Sequence, residues 1–548
     1  VTAGIGYLEQ SAAYSRTVTK VLINGQKERV VEHQRAGLVV AGFHHGTSRL
    51  EDPQPHTHCL VMNAAWRSAV ERFGALHSRP VYQHKMAAGA VYQATLANEL
   101  RKLGLPVEAI KNKDGVPLGY FEVAGVSKEV RDHFSKRRQQ IEEALKAKGF
   151  ASAEAAEIAA LDTRNEKRIL PPKDELFRTW REEAAKLGLT REKAEALFGQ
   201  PPKYDKRAVD AVKSAIDAAK DRLTESVSHF SERELYRETL IRTLGSGVHP
   251  EVVRQAVKTA CERSGELVAL GRYRGESQYT TQEVWKTEKE FLAAAATLNG
   301  RHVAGVKPGA VEAKLGQELT KPDGTTFRMT DEQKHAVQIL TRDGSAIRTL
   351  TGSAGSGKTT VLGAVNELYA SHGYKVIGAA VAGTAARELE SGSGIKSDTL
   401  AMRFIEMDRS FRDKVKHNAT QLVRAALGLP TYPPDKKLVI DKNTVLVVDE
   451  AGMIGTKDLN RLMQAVVDGG GRVILAGDSK QLPPVQAGGG FRSMLERYKE
   501  NGAELTAVTR QESQADRNLG LYIASGNARE ALYQLADKGK LHVGDTRA

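Results

Sequence analysis

The spacing of apolar positions changes character along the chain. After about residue 326, four apolar runs recur: AIRTLTG at 346–352, YKVIGAAVAG at 374–383, NTVLVVDEAG at 443–452 and GRVILAGD at 471–478. Stretches with helical periodicity separate them. Strands that are apolar on both faces and alternate with helices predict a parallel α/β sheet. The N-terminal half reads differently. The pattern predicts a helix over 1–20, a strand over 36–45, a turn-rich loop over 46–55 and a second strand over 56–63. An amphipathic helix is expected over 85–104, stopped by Gly104 and Pro106. From 127 to about 225, Lys, Glu, Ala and Arg recur with helical spacing, broken at Pro171-Pro172 and Pro201-Pro202, which predicts solvated helices and linkers. Residues 226–300 add further helices and a hairpin over 267–281. No internal repeat is present.

Composition narrows the class. The 548 residues are 41% hydrophobic and 27% charged, which suits a globular chain and is too apolar for wholesale disorder. No stretch approaches the roughly 20 apolar residues that a membrane-spanning helix needs. Cys59 and Cys261 are the two cysteines, too few for a disulfide framework or a four-thiolate zinc site, and their scarcity points to a reducing compartment. Lys plus Arg outnumber Asp plus Glu by 80 to 67, giving +13, a balance that favours a polyanionic partner. The first residue is Val1, with no signal-like segment behind it, so the chain is expected to be processed or a piece of a longer one.

The sharpest chemical signal is Gly352-Ser-Ala-Gly355-Ser356-Gly357-Lys358-Thr359, followed by Thr360. It stands between an apolar strand and a helical segment, the setting of a phosphate-binding P-loop. Glycines let backbone N–H groups close around phosphates at a helix N-terminus, Lys358 neutralises the β- and γ-phosphates, and Thr359 ligates Mg²⁺. The run VLVVDE places Asp449 and Glu450 at the end of a buried strand. An acidic pair there suits one carboxylate for Mg²⁺ and one for activating water. Gln481, after the next strand, is placed to sense the γ-phosphate.

Read together, Met329-Thr-Asp-Glu-Gln333, GSAGSGKT, VVDEAGMI, GDSKQLPPV and Val508-Thr-Arg510-Gln511 resemble successive motifs of superfamily 1 helicases of the RecD-like branch. The resemblance implies that Gln333 reads adenine and that Arg510 reaches the γ-phosphate. It also puts Thr384 and Thr399 in segments that contact single-stranded nucleic acid, although a helix cap or turn explains both as well. Such helicases carry a second RecA-like lobe whose motifs are not found before Ala548. ATP binding is thus expected more firmly than turnover or unwinding.

Four histidines fall within residues 44–58: His44, His45, His56 and His58. On a strand, positions i and i+2 share a face, so His56 and His58 point together, and His45 meets them if the preceding strand is antiparallel. Three neutral imidazoles would hold a divalent ion and leave positions open for a phosphate oxygen. Surface histidines explain an isolated H-x-H equally well. The block H-x-T-S-R-x-x-D-P-Q-x-H-T-H resembles, however, the three-histidine signature of conjugative relaxases of the TrwC/TraI (MobF) type, in which a relaxase and a RecD-like helicase share one chain. The resemblance continues through 82–104 and 138–149.

That resemblance implies a metal that polarises one scissile DNA phosphate and a tyrosine that attacks it, leaving a 5′-phosphotyrosyl intermediate. The family's nucleophile lies near its N-terminus. Tyr7 and Tyr14 precede the histidines here, but packing explains them better, and neither is nominated. Arg49 and Asp52 either orient the histidines or pair within the loop. The expected organisation is multidomain α/β: a partial HUH-type relaxase palm, an antiparallel sheet with helices, over 1–165; a helical linker over 166–225; a small helicase N-terminal domain over 226–325; and a P-loop RecA-like parallel-sheet domain over 326–548.

The expected cofactors are ATP with Mg²⁺, and a divalent metal (Mg²⁺, Mn²⁺ or Zn²⁺) at the histidines. Expected partners are single-stranded DNA and transfer-origin DNA, with other DNA-processing and secretion-channel coupling proteins, in a bacterial cytoplasm and without a membrane. The competing readings are a stand-alone RecD-like helicase and a catalytically incomplete fragment that binds DNA and nucleotide.

Overall fold

A computed structural model describes residues 1–23, 26–148, 171–199, 207–263, 265–320, 324, 326–353, 355–408, 438–478, 484, 486–506, 518–519, 522–523, 526–537 and 539–541. The chain divides into two compact units, Val1–Leu223 with Phe230–Tyr279, and Thr224–His229 with Thr280–Ala548. The stretch 226–325 is therefore shared between the two units. No helix among the described residues is long and apolar enough to cross a membrane.

In the first unit the helix at the N-terminus covers only Thr2–Ala12. Tyr14–Ile23 is instead a strand, paired antiparallel with Gln26–Arg35 from Tyr14↔Arg35 to Ile23↔Gln26. This corrects the helix expected over 1–20. The run from Thr17 to Ile23 is rich in β-branched residues, which lose side-chain freedom in a helix and fit a pleated surface. Tyr7 and Tyr14 accordingly do not share a helix face.

Gly37–Thr47 and Pro53–Arg67 form a long hairpin joined by the edge strand Arg72–Gly74. Helix Ser78–Lys102 begins seven residues before the expected start and buries an alanine-rich face: Ala87, Ala90, Ala94 and Ala97. Small side chains there let helix Thr2–Ala12 approach closely, with Gly4 against the Ala88 carbonyl. One apolar core joins Tyr7, Leu8 and Val91 to Val212, Phe230, Leu240, Val253 and Leu267.

The second unit is built on a six-stranded sheet, every neighbouring pair parallel. From edge to edge the order is Ser397–Thr399, Lys375–Ala380, Thr444–Val448, Arg472–Gly477, Ile347–Gly352 and Gly502–Leu505. Alternate residues of Thr444–Val448 serve the two faces. Leu446 and Val448 join Phe291, Leu298, Leu462 and Val466 of helices Gln282–Gly300 and Thr456–Gly469. Val445 and Val447 join Val337, Leu340, Val361 and Leu362 of helices Asp331–Thr341 and Lys358–Ser371. Helices on both faces explain why these strands read as unbroken apolar runs.

Candidate functional site

The histidine cluster is a product of strand register. His45 lies directly opposite His56, and Phe43 opposite His58, so the three imidazoles share one face of the hairpin. Their ring centroids stand 5.3 Å (His45–His56), 4.9 Å (His45–His58) and 4.9 Å (His56–His58) apart. One ring nitrogen from each lies within 4.8 Å of the others, spacing suited to a single ion. The donor chemistry fits as well. His56 Nδ1 is 2.8 Å from the Gln54 carbonyl, so it carries the proton and donates, which leaves the Nε2 lone pair for a metal. His44 points to the opposite face, 2.8 Å from Thr57 Oγ1, and takes no part.

The loop between the two strands is tied down. Asp52 is buried, and the Ser48 hydroxyl accepts its backbone N–H at 3.1 Å. Its Oδ2 accepts the backbone N–H of Lys136 at 3.1 Å, and the Lys136 ammonium lies 3.5 Å from Oδ1. The Trp180 indole donates to the Glu51 carbonyl at 2.8 Å. Both Lys136 and Trp180 come from helices that sequence patterning treats as solvated linkers. No local signal marks them, since the contacts span 84 and 129 residues.

Tyr7 is buried in the core, and its hydroxyl is 3.0 Å from His84 Nδ1. Burial pushes that hydroxyl up to about 12, the opposite of an activated nucleophile. Tyr14 has the Arg35 guanidinium over its ring at 4.8 Å.

In the second unit, strand Ile347–Gly352 runs into the glycine-rich turn and helix Lys358–Ser371. Gly355 and Gly357 have φ of 81° and 89°, the left-handed region that residues with a Cβ rarely adopt. The Lys358 ammonium folds back onto the Gly352 carbonyl and, at 3.3 Å, the Ser353 carbonyl. Burial pulls Lys358 below the usual lysine range, against the opposing fields of Asp449, Asp478 and Glu450. Thr359 and Thr360 follow in the first turn of the helix.

Asp449 and Glu450 leave the end of strand Thr444–Val448, and burial raises both carboxyls above their ordinary values. Glu450 takes a left-handed φ of 52°, held by its N–H donating to Asp449 Oδ1 at 2.9 Å. A non-glycine residue there stores strain, which is common where a side chain must be aimed.

Gln333 is buried beside this turn. Thr330 and Gln333 form a capping box, in which Gln333 Oε1 accepts the Thr330 N–H at 3.1 Å. Gln333 Nε2 donates to the Ser356 carbonyl at 3.3 Å, within the P-loop itself. Thr399 caps helix Leu400–Asp408 by accepting the Met402 N–H, and Thr384 is exposed in the first turn of helix Gly383–Ser393. Gln481 and Arg510 lie outside the described residues.

The two sites define a class: a three-histidine hairpin and a P-loop parallel-sheet domain on one polypeptide. Comparisons with known proteins agree. Residues 1–187 match the family model described as TrwC relaxase, and residues 328–546 match the model described as AAA domain. One chain thus carries a segment that matches the relaxase model and a segment that matches the AAA model.

It is 29% identical over 298 residues to the conjugal transfer protein TraA of Agrobacterium fabrum, covering 54% of this chain and 23% of that protein. It is 30% identical over 281 residues to the multifunctional conjugation protein TraI of Escherichia coli, covering 47% and 15%. Among solved structures, the conjugative relaxase TrwC in complex with OriT DNA is 31% identical, covering 34% of this chain and 61% of that one, with a TM-score of 0.28. The chain thus spans about a quarter or less of the length of these curated relatives.

Proposed function

We propose that this chain works in conjugative DNA transfer, joining metal-dependent nicking of one DNA strand through a tyrosyl-phosphate to ATP-driven 5′–3′ movement along it. The observation that carries the reading is the histidine face: three ligand nitrogens within 4.8 Å of one another, one imidazole already fixed in its metal-ready tautomer. His45, His56 and His58 would hold the divalent ion (Mg²⁺, Mn²⁺ or Zn²⁺). When bound, that ion supplies positive charge to a non-bridging oxygen of the scissile phosphate. The histidines orient the phosphate, and the clasp at Asp52 keeps their two strands in place. No tyrosine of this chain is assigned as nucleophile.

In the ATP site, backbone N–H groups of Gly352, Gly355, Ser356 and Gly357 would surround the phosphates. Lys358 would leave its carbonyl partners for the β- and γ-phosphates. Thr359 and Asp449 would hold Mg²⁺, with Thr360 beside them, and Glu450 would take a proton from the attacking water. Gln333 would read adenine, and Gln481 and Arg510 would sense the γ-phosphate. Single-stranded and transfer-origin DNA would be the substrates, in a bacterial cytoplasm.

The test is equilibrium dialysis against Zn²⁺ or Mn²⁺, followed by single-stranded DNA binding with and without metal. One ion per chain, lost in His58→Ala, is the expected result. Equal metal content in wild type and variant removes the relaxase reading.

A further inference from the structure

Residues 207–281, of which 207–223 and 230–279 belong to the first unit, have a topology of their own. Helix Arg207–Thr224 leads to the short strand Phe230–Ser231, helix Glu232–Arg242, a glycine-containing turn and helix Pro250–Arg263. Strands Leu267–Tyr273 and Glu276–Thr281 follow as a hairpin. Glu276–Thr281 lies between the other two strands and runs antiparallel to Phe230–Ser231. Helix, strand, helix, turn, helix and a two-stranded wing, with the last strand central, is the winged-helix arrangement.

The second helix of the turn is poorly placed to read DNA. Its Arg254 is engaged by Gln10 at 2.8 Å and packs over the Tyr7 ring. Its exposed residues mix Lys258 with Glu251 and Glu262, which leaves no net positive stripe. The wing is different. Its tip reads Gly271-Arg272-Tyr273-Arg274-Gly275, and Tyr273 is 56% exposed. Arg274 stands over the Tyr273 ring at 5.1 Å, and Arg272 donates to the Gly275 carbonyl at 2.8 Å. Among the described residues neither arginine is in an ion pair. The two acids nearest the wing in sequence pair elsewhere: Glu276 with Arg233 and His84, Glu266 with Lys220.

The turn itself is costly. Arg274 and Gly275 have φ of 51° and 90°, the two-residue turn that suits a hairpin but favours Asn or Gly at its first position. Arginine there carries strain that a glycine would not, and strain of this kind marks a site where the side chain is used.

We propose that this wing tip binds single-stranded DNA, with a base stacked on Tyr273 and neighbouring phosphates on Arg272 and Arg274. An exposed aromatic ring beside two guanidinium groups, neither in an ion pair among the described residues, has the chemistry of a strand-tracking contact: the ring accepts any base, and the cations follow the backbone. A duplex hides its base faces and offers the ring nothing to stack on.

The experiment uses the full chain in EDTA without nucleotide, so that neither the histidine cluster nor the P-loop contributes metal- or ATP-dependent binding. Tyr273→Ala is expected to weaken binding of a single-stranded oligonucleotide about tenfold and to leave duplex binding unchanged, with Tyr273→Phe restoring it. The double variant R272A/R274A should lower the salt-dependence slope by about 1.4, two phosphates at about 0.7 each. Arg274→Gly should bind more weakly while melting no lower than wild type. Wild-type affinity and slope in the variants, or equal loss on single strand and duplex, overturns the proposal. Metal content and ATP binding are read separately, so failure here leaves the histidine and P-loop assignments standing.

Discussion

Lys136 meets Asp52 twice: its backbone N–H donates to Oδ2 at 3.1 Å, and its ammonium lies 3.5 Å from Oδ1. A buried carboxylate at the tip of the histidine hairpin is thereby fixed to the start of helix Lys136–Lys148. Asp52→Ala strands the Lys136 N–H without its acceptor, a loss of about 1–3 kcal/mol. Metal affinity is expected to fall about 10–100-fold with stoichiometry unchanged, as happens when the support behind metal ligands is removed. Zn²⁺ competition titration reads both numbers. Full affinity in the variant would show that the strands hold the histidines unaided.

For Lys358→Ala, binding of a fluorescent ATP analogue should disappear while metal content at the histidines stays at the wild-type level. The lysine is held by two carbonyls of the glycine-rich turn and feels the fields of Asp449 and Glu450. Equal ATP affinity in the variant would count against the P-loop assignment.

Gln333→Ala removes both a helix cap and the bond to Ser356, so melting should show a loss of about 1–2 kcal/mol. Nucleotide affinity should fall too, with ATP losing more than GTP if the amide turns to adenine on binding. A common loss for both nucleotides would make Gln333 a brace for the P-loop instead of a reader of the base.

Acid should erase one contribution to the first unit. A hydrogen bond from His84, joined by Arg233 and opposed by burial, holds Glu276 down to about 2 from an ordinary value of 4.5. Because the folded value lies below the unfolded one, the stabilisation is complete above about pH 4.5 and fades as pH falls toward 2. Glu276→Gln should melt below wild type at pH 7, and the gap should close across that window. A gap independent of pH would mean that Glu276 contributes through packing alone.

The parallel sheet was the most readable part of the molecule. The strands Ile347–Gly352, Lys375–Ala380, Thr444–Val448 and Arg472–Gly477 fall inside the apolar runs because burial on both faces leaves no polar alternation to confuse. The edge strands Ser397–Thr399 and Gly502–Leu505 are only three and four residues long, too short for any period to emerge. The facing of the three histidines follows from period-two geometry, which sequence spacing contains. The Asp52–Lys136 tie and the Gln333–Ser356 bond do not, because each joins segments with no common local pattern. Tyr14–Ile23 departs from the helix its pattern predicts, since apolar and β-branched residues in short runs fit either element until a partner strand decides.

The hairpin register has a further consequence. His45 opposite His56 is bracketed by irregularities between Leu38 and Val40 and between His45 and Thr47. A slip of one residue would turn His44 inward and send His45 to the far side, since strand faces alternate. The proposed metal site thus depends on strand register. A residue gained within either strand keeps the three histidines on one face only where a bulge, like those already flanking His45, takes up the extra position.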